Sequence, residues 1–175
     1  MGIYGIMLTQ NAKAISKAIY ESDYKYALSL IENAATDYNE DFYVLVLKYN
    51  IATLQRKTGQ ISRAVQTVKE IKALNDMAGN RFPYLMAFIN AQEGYLYMEN
   101  RDYDKALTKF ITYVEHSYTD RYENFISVLI NIKKLLKKLE RPFPEKLLPY
   151  RNAVNPISTI LAENHLIFCE LLFWE

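Results

Sequence analysis

The sequence predicts an all-α protein made of packed helical hairpins, and three observations point to this class. Only five glycines and five prolines occur among 175 residues, which is few for a turn-rich all-β protein. Apolar residues recur three and four positions apart along almost the whole chain, as they do on the buried faces of helices. The breaks between these periodic runs are short and polar, which is typical of helices joined into hairpins.

The apolar periodicity predicts eight helices. We expect them at about residues 8–21, 24–37, 41–57, 61–75, 83–100, 103–117, 120–140 and 156–174. Gly59 follows the third of these helices, where glycine can adopt a left-handed backbone conformation without steric strain. Pro83 occupies a first helical turn, where the N–H that proline lacks would be unpaired in any case. Four prolines lie along or beside residues 141–155, so we expect this stretch to be largely irregular.

The charge of the chain bears on the class of partner that it can bind, and its cysteine content bears on the cellular compartment. The chain has 21 basic and 20 acidic residues and a net charge of +1, so it lacks the basic character of a dedicated nucleic-acid binder. The lone Cys169 excludes an internal disulfide and fits a reducing compartment. The apolar terminal stretch is interrupted by Glu163 and Glu170 and is too short to span a bilayer. We therefore expect one cytoplasmic domain over residues 1–175, with no membrane segment.

One sequence unit recurs three times, each time around an alanine. Ala27, Ala64 and Ala106 each have an apolar residue three positions before them and another four positions after them. A small residue suits a place where the second helix of a hairpin crosses the first closely. Each copy also follows a short polar turn, so the pattern predicts three hairpins that pack in the same way.

The third copy carries the fullest motif. Gly94 is followed three positions later by Tyr97, Ala106 is followed four positions later by Phe110, and Tyr103 starts the second helix. This copy resembles the tetratricopeptide repeat, a helix–turn–helix unit with a W-x2-L-G-x2-Y…A-x3-F signature. The resemblance covers about residues 8–117. It implies a right-handed superhelical stack of hairpins, closed by carboxyl-terminal capping helices, whose first helices line a concave peptide-binding surface.

The resemblance assigns the concave surface to the first helices of the second and third copies. The candidate peptide-binding residues are Tyr49, Thr53, Arg56, Phe88, Gln92, Tyr95, Met98 and Glu99. Rigid aromatic side chains supply contact area at low entropic cost, so the expected ligand is an apolar or amphipathic protein segment. Core packing between adjacent helices is the alternative role for the aromatic residues. We expect a non-enzymatic adaptor, chaperone or regulatory protein.

Residues 121–151 hold the largest local charge bias, with eight basic residues against three acidic ones. Four lysines gather opposite the apolar stripe of the predicted helix, namely Lys133, Lys134, Lys137 and Lys138. The alternative function is therefore a module that binds RNA or an acidic protein through this helix, and the competing interpretation is a solvated outer face. No aromatic residue is interleaved with the lysines, which disfavours base stacking and so disfavours nucleic acid.

The sequence lacks the common enzyme motifs. It has no P-loop, GxGxxG, HExxH or GxSxG pattern. His165 and Cys169 lie four residues apart, a spacing that could support a thiolate pair or two metal ligands. Their apolar neighbours favour a buried histidine and a buried thiol instead. We therefore expect no catalytic residue, no metal and no cofactor.

The predicted terminal helix, at about residues 156–174, is very apolar. Because a solenoid needs a polar outer face on its last unit, something must cover this helix. It could fold back as a cap, fill the concave surface, or pack against a second copy of the chain as a homodimer. We favour the fold-back cap, with the homodimer second.

Overall fold

The structure is a computed structural model, and it describes residues 3–35, 41–81, 83–116 and 122–150. Within these ranges the chain is all-α and contains no strand, as predicted. The helices α1 to α7 run Ile3–Tyr20, Tyr24–Ala35, Asp41–Lys57, Ile61–Met77, Pro83–Glu99, Tyr103–His116 and Tyr122–Lys138. A short 3-10 helix follows at Glu145–Tyr150.

The predicted helix bounds agree with the structure to within a few residues along most of the described chain. The bounds of α3 coincide with the prediction, and α2, α4, α5 and α6 begin where they were predicted to begin. The first helix starts earlier, at Ile3, because no proline interrupts the residues before Leu8. The predicted terminal helix, together with His165 and Cys169, lies outside the described residues.

The described chain divides into two compact units. The first unit contains α1 to α4, and each of these helices packs on the next one. The second unit contains α5 to α7 and the 3-10 helix, with α5 packed on α6 and α6 packed on α7. Each unit has its own hydrophobic core.

The helix α3 is buried around most of its circumference from Leu45 to Gln55. Between Leu45 and Gln55, Lys48 is the one residue that is not buried. One side of the helix contributes Leu47, Ile51 and Leu54 to the core shared with α1 and α2. A helix buried around most of its circumference has no clear polar face, so its sequence shows little amphipathic pattern.

The segment after α7 folds back onto the second unit. Leu147 is buried in the core of this unit, and the ring of Tyr150 packs edge-on against that of Phe125 with 5.0 Å between the centroids. Arg141 forms an ion pair with Asp104 on α6 at 2.5 Å. In the described part of the proline-rich stretch, residues 141–144 are irregular as predicted, whereas Glu145–Tyr150 form the 3-10 helix with Pro149 inside it. The stretch covers part of the apolar side of α7.

Three hairpins in the described chain end their first helix in the same left-handed turn. The turn residues are Ser22, Gly59 and Arg101, with φ values of 60°, 78° and 60°. In each turn the N–H of this residue donates to the carbonyl three positions earlier, and the next N–H donates to the carbonyl five positions earlier. These two bonds satisfy carbonyl groups that the helix end leaves unpaired. The same pair of bonds also ends α4 at Gly79 and α7 at Glu140, so this turn is the usual helix ending in the described chain and does not by itself mark the repeat.

The recurring alanines lie at equivalent places in the three hairpins. Ala27, Ala64 and Ala106 have no exposed surface, and each donates its backbone N–H to the residue just after the turn at 3.0 Å. In the third hairpin Gly94 on α5 faces Phe110 on α6, and a methyl group added to Gly94 would lie 2.6 Å from that ring. A glycine is required there because the ring occupies the space of a side chain.

Candidate functional site

The predicted peptide-binding residues of α3 are mostly buried. Tyr49 and Thr53 are only 5% and 4% exposed, and the Thr53 hydroxyl donates to the Tyr49 carbonyl at 3.1 Å. Arg56, near the end of the helix, is half-buried. In this conformation Arg56 is the predicted residue of the first unit that a ligand can reach most directly.

The aromatic residues predicted on α5 take part in the packing of the second unit. The ring of Tyr95 lies edge-on to that of Phe110 at 5.0 Å, and its hydroxyl forms a 2.9 Å hydrogen bond with Ser127. The rings of Phe88 and Tyr113 lie 5.9 Å apart. Both predicted aromatics are half-buried, so these contacts support the core-packing interpretation for them.

The remaining predicted residues of α5 differ sharply in exposure. Gln92 is 2% exposed, whereas Met98 is half-buried and Glu99 is exposed at the end of the helix. Arg56, Met98 and Glu99 thus lie in the last turn of the first helix of a hairpin, and Met98 packs against the core of the second unit as Phe88 and Tyr95 do.

The predicted lysine cluster lies on α7. Lys134, Lys137 and Lys138 are exposed and Lys133 is half-buried. The Lys138 ammonium sits 4.0 Å from the centre of the Tyr103 ring, an arrangement that favours a cation over the ring face. The sequence could not show this contact, because Tyr103 belongs to a different helix. The basic residues Arg121 and Arg151 lie outside the described residues.

The structure also contains a polar cleft that the sequence analysis did not identify. It lies in the first unit above α3, between α2 and α4, and has a volume of about 300 Å³. Its lining residues are Glu32 from α2, Lys48, Ile51 and Gln55 from α3, and Arg63, Gln66, Thr67 and Glu70 from α4. We refer to it as the α3 cleft.

Two ion pairs border the α3 cleft. Lys48 Nζ lies 2.7 Å from a carboxylate oxygen of Glu70, and a guanidinium nitrogen of Arg63 lies 2.8 Å from one of Glu32. The hydrogen bond from Lys48 holds the pKa of the Glu70 carboxyl below its ordinary value, against a smaller opposing effect of burial. The cleft therefore presents two positive and two negative groups, which balance each other.

The floor of the α3 cleft is neutral and polar. Gln55 is 3% exposed, and its side-chain oxygen accepts a 2.9 Å hydrogen bond from the hydroxyl of the buried Thr67. Within the part of the chain that the structure describes, the Gln55 amide nitrogen has no hydrogen bond. The buried side-chain atoms that lack a partner in the described chain belong to other residues, so solvent reaches this nitrogen, and a ligand in the cleft can accept from it in place of water.

A sequence signal for the α3 cleft does exist. The residues from α4 recur at helical spacing from Arg63 to Glu70, and those from α3 do so from Lys48 to Gln55. Such stripes on two helices of one hairpin place their side chains on facing surfaces. The apolar residues of the repeat pattern lie in this same segment, and the polar residues between them on α4 are the signal for the cleft.

Comparison of the chain with family models, with curated proteins and with solved structures gave no match. None of the described helices is long and apolar enough to cross a membrane. In the described ranges, no three or more histidine, cysteine, aspartate or glutamate side chains are grouped so that they could hold a metal ion.

Proposed function

We propose that the protein is a non-enzymatic helical-repeat protein, similar to tetratricopeptide-repeat proteins, that binds a peptide or a segment of a partner protein. The observation that supports this proposal is the repetition of one hairpin, with the left-handed turns at Ser22, Gly59 and Arg101 and a buried alanine after each. Proteins made of repeated helical hairpins use the surfaces of their stacked elements for binding.

The predicted residues in the last turns of α3 and α5 are the ones proposed to contact the partner. In the first unit Arg56 is suited to pair with a carboxylate of the bound segment. In the second unit Met98 is suited to an apolar side chain, since methionine adapts to irregular surfaces, and Glu99 is suited to a basic one. The buried Tyr49, Thr53 and Gln92 would hold their helices in place.

A selection from displayed random short peptides on the folded full chain tests this proposal. We expect amphipathic peptides to be enriched, and the synthetic consensus peptide to bind more weakly to the variants Arg56→Ala, Met98→Ala and Glu99→Ala. The matched controls are Lys69→Ala and Glu145→Ala, which remove exposed charges elsewhere. Failure to enrich any sequence, or equal binding to the variants and the controls, would contradict the proposal.

A second candidate function is the binding of an acidic protein segment through α7. The observation in its favour is that Lys134, Lys137 and Lys138 are exposed and form no ion pair within the described ranges. Nearby Arg141 and Lys146, in contrast, are paired with Asp104 and Glu115.

A salt titration with a polyglutamate peptide tests this second function, with single-stranded RNA as the comparison probe. Binding through the lysines should weaken as ionic strength rises, and it should be lost when Lys134, Lys137 and Lys138 are all replaced by Met. The matched control replaces three exposed lysines on other helices, Lys13, Lys25 and Lys69. Equal loss in both triple variants would mean that binding follows net charge alone and would reject the α7 site.

A further inference from the structure

We propose that the α3 cleft binds a small zwitterion of the α-amino acid class. The proposed site uses residues other than those assigned to the partner segment, so it goes beyond the proposed function and does not depend on it. Its volume of about 300 Å³ is at the lower end of the range for ligand pockets. That size favours a single amino acid over a folded peptide segment.

The charges around the α3 cleft favour a ligand that carries both signs. A ligand with one net charge would be attracted by one member of each ion pair and repelled by the other. An α-amino acid can offer its carboxylate to Lys48 and Arg63 and its ammonium group to Glu32 and Glu70. Charge complementarity of this kind also rejects ligands that lack either group.

The two ion pairs can exchange partners with such a ligand at low cost. The side chains of Lys48 and Glu70 are 29% and 43% exposed, and those of Arg63 and Glu32 are 58% and 35% exposed. Ion pairs that water reaches contribute little to stability. A ligand carboxylate can take the place of Glu70 or Glu32, and a ligand ammonium group can take the place of Lys48 or Arg63. Each charged side chain of the cleft then still faces a group of opposite charge.

The floor of the α3 cleft supplies a directed contact. The Gln55 amide is held in place by the bond from Thr67, so its free N–H groups have a fixed direction toward the cleft. A ligand carboxylate or a polar ligand side chain can accept from them. Because solvent reaches this nitrogen, the ligand replaces water as its acceptor, and the contact contributes direction to the binding.

The third hairpin shows that this cleft is not a general product of the repeat. When Ala64 is aligned with Ala106, Thr67 corresponds to Lys109, and Ile51 corresponds to Glu93. In the third hairpin these two residues form an ion pair with each other at 2.6 Å. The second hairpin has a hydroxyl and an apolar side chain at the same places, which leaves room above the floor.

Amide NMR of the isotope-labelled full chain tests the proposal. The probes are the twenty free amino acids, together with acetate and methylammonium, which each carry one of the two charges. We expect at least one amino acid to give a saturable shift of the Gln55 side-chain amide, while acetate and methylammonium give none. A shift with acetate as large as that with any amino acid would indicate a carboxylate site and would overturn the zwitterion proposal.

Three variants locate the binding, each checked for an unchanged helical circular dichroism spectrum. Lys48→Met and Gln55→Leu should each weaken amino acid binding at least tenfold, as expected for a central contact. The matched control Lys69→Met removes an exposed lysine that does not line the cleft and should bind normally. If Gln55→Leu does not fold, Thr67→Val removes the bond that orients the amide. No saturable shift up to millimolar concentrations, or binding that survives the cleft variants, overturns the proposal.

Discussion

The second and third hairpins form the same backbone turn with different residues at the left-handed position and at the helix cap. In the second hairpin Gly59 takes the left-handed conformation without strain, but Gln60, which follows it, makes no side-chain cap. In the third hairpin Arg101 takes that conformation at a steric cost, and Asp102 then caps α6 by accepting the Lys105 N–H at 3.3 Å. One hairpin has the better turn residue and the other has the better cap, so each offsets its own weak point.

The two hairpins also divide the space at the helix crossing differently. The third hairpin places Gly94 against the large ring of Phe110. The positions that correspond to them in the second hairpin are Ala52 and Val68, both of them buried. A smaller first residue accompanies a larger second residue, so the summed volume is nearly conserved.

Among changes in these two hairpins, removing the Phe110 ring should lower the free energy of unfolding the most. Phe110→Ala leaves a cavity beside Gly94 and should lower the free energy of unfolding by about 3–5 kcal/mol. The matched change Val68→Ala removes less apolar volume and should cost roughly 2 kcal/mol. Urea denaturation followed by circular dichroism measures both values. Equal costs would show that the two crossings do not differ in packing.

The Gly94 position should respond next. Gly94→Ala forces a methyl group against the Phe110 ring and should destabilise the fold by about 1–3 kcal/mol, even though alanine is the better helix former. The double variant Gly94→Ala/Phe110→Val copies the second hairpin and should be less destabilised than the two single effects added together. Additive behaviour in this double-mutant cycle would argue against direct contact between the two positions.

Exchanging the turn residues should give smaller effects of opposite sign. Gly59→Ala places a methyl group at a φ of 78° and should cost about 1–2 kcal/mol. Arg101→Gly relieves the strain of a left-handed arginine and should raise the thermal midpoint. A lower midpoint for Arg101→Gly would mean that the unfolded-state entropy of glycine outweighs the relieved strain.

Changes to the capping residues should stabilise the second hairpin and destabilise the third. Gln60→Asp supplies the missing cap in the second hairpin and should stabilise it by about 1 kcal/mol. Asp102→Ala removes the cap from the third hairpin and should increase hydrogen exchange at the Lys105 amide. If the Lys105 amide exchanges at the same rate in both proteins, the aspartate is not acting as a cap.

Protonation of Glu70 at low pH should have the smallest effect on stability. The folded-state pKa of Glu70 lies below its ordinary value of 4.5, chiefly because Lys48 donates a hydrogen bond to it. Glu70 therefore contributes stability above that ordinary value, and the contribution is lost as the pH falls through the lowered pKa. An NMR titration should show the Glu70 midpoint moving upward in Lys48→Met and staying unchanged in Lys69→Met. An unchanged midpoint in Lys48→Met would exclude the ion pair as its cause.

Asp102 in the third hairpin gives the contrasting case. Its pKa is also lowered, mainly by the hydrogen bond from Lys105, but both groups belong to the start of one helix. The Lys48–Glu70 pair instead joins α3 to α4. Protonation of Glu70 should therefore act on a contact between two helices, whereas protonation of Asp102 should act on the start of one helix.

Much of the fold could be predicted because its signals are local. Helix starts at Tyr24, Ile61 and Tyr103 follow short turns whose residues can be recognised in the sequence, and the structure places the helices there. The buried alanines follow from the same reasoning, since a hairpin crossing depends on residues close together in the chain. The tetratricopeptide-repeat resemblance, the single domain and the cytoplasmic location stay predictions.

The candidate sites were harder to predict because they depend on what each helix face meets. Apolar spacing on α5 is the same whether Tyr95 faces a ligand or the ring of Phe110, and the structure places it against the ring. Helix α3 has no clear polar face, so the burial of Tyr49 could not be inferred from its spacing. The α3 cleft arises between side chains of neighbouring helices, and the size of the space between them depends on tertiary packing.

The packing of each helix on the next one has a consequence for how the chain folds. Within each unit the extensive contacts join helices that are consecutive in the sequence, so only short loops must close before these contacts form. Loop closure of this kind costs little entropy, and chains rich in near-neighbour contacts fold fast. The search for the native arrangement can therefore begin in any hairpin, and a hairpin formed early provides the surface on which its neighbour in the same unit assembles.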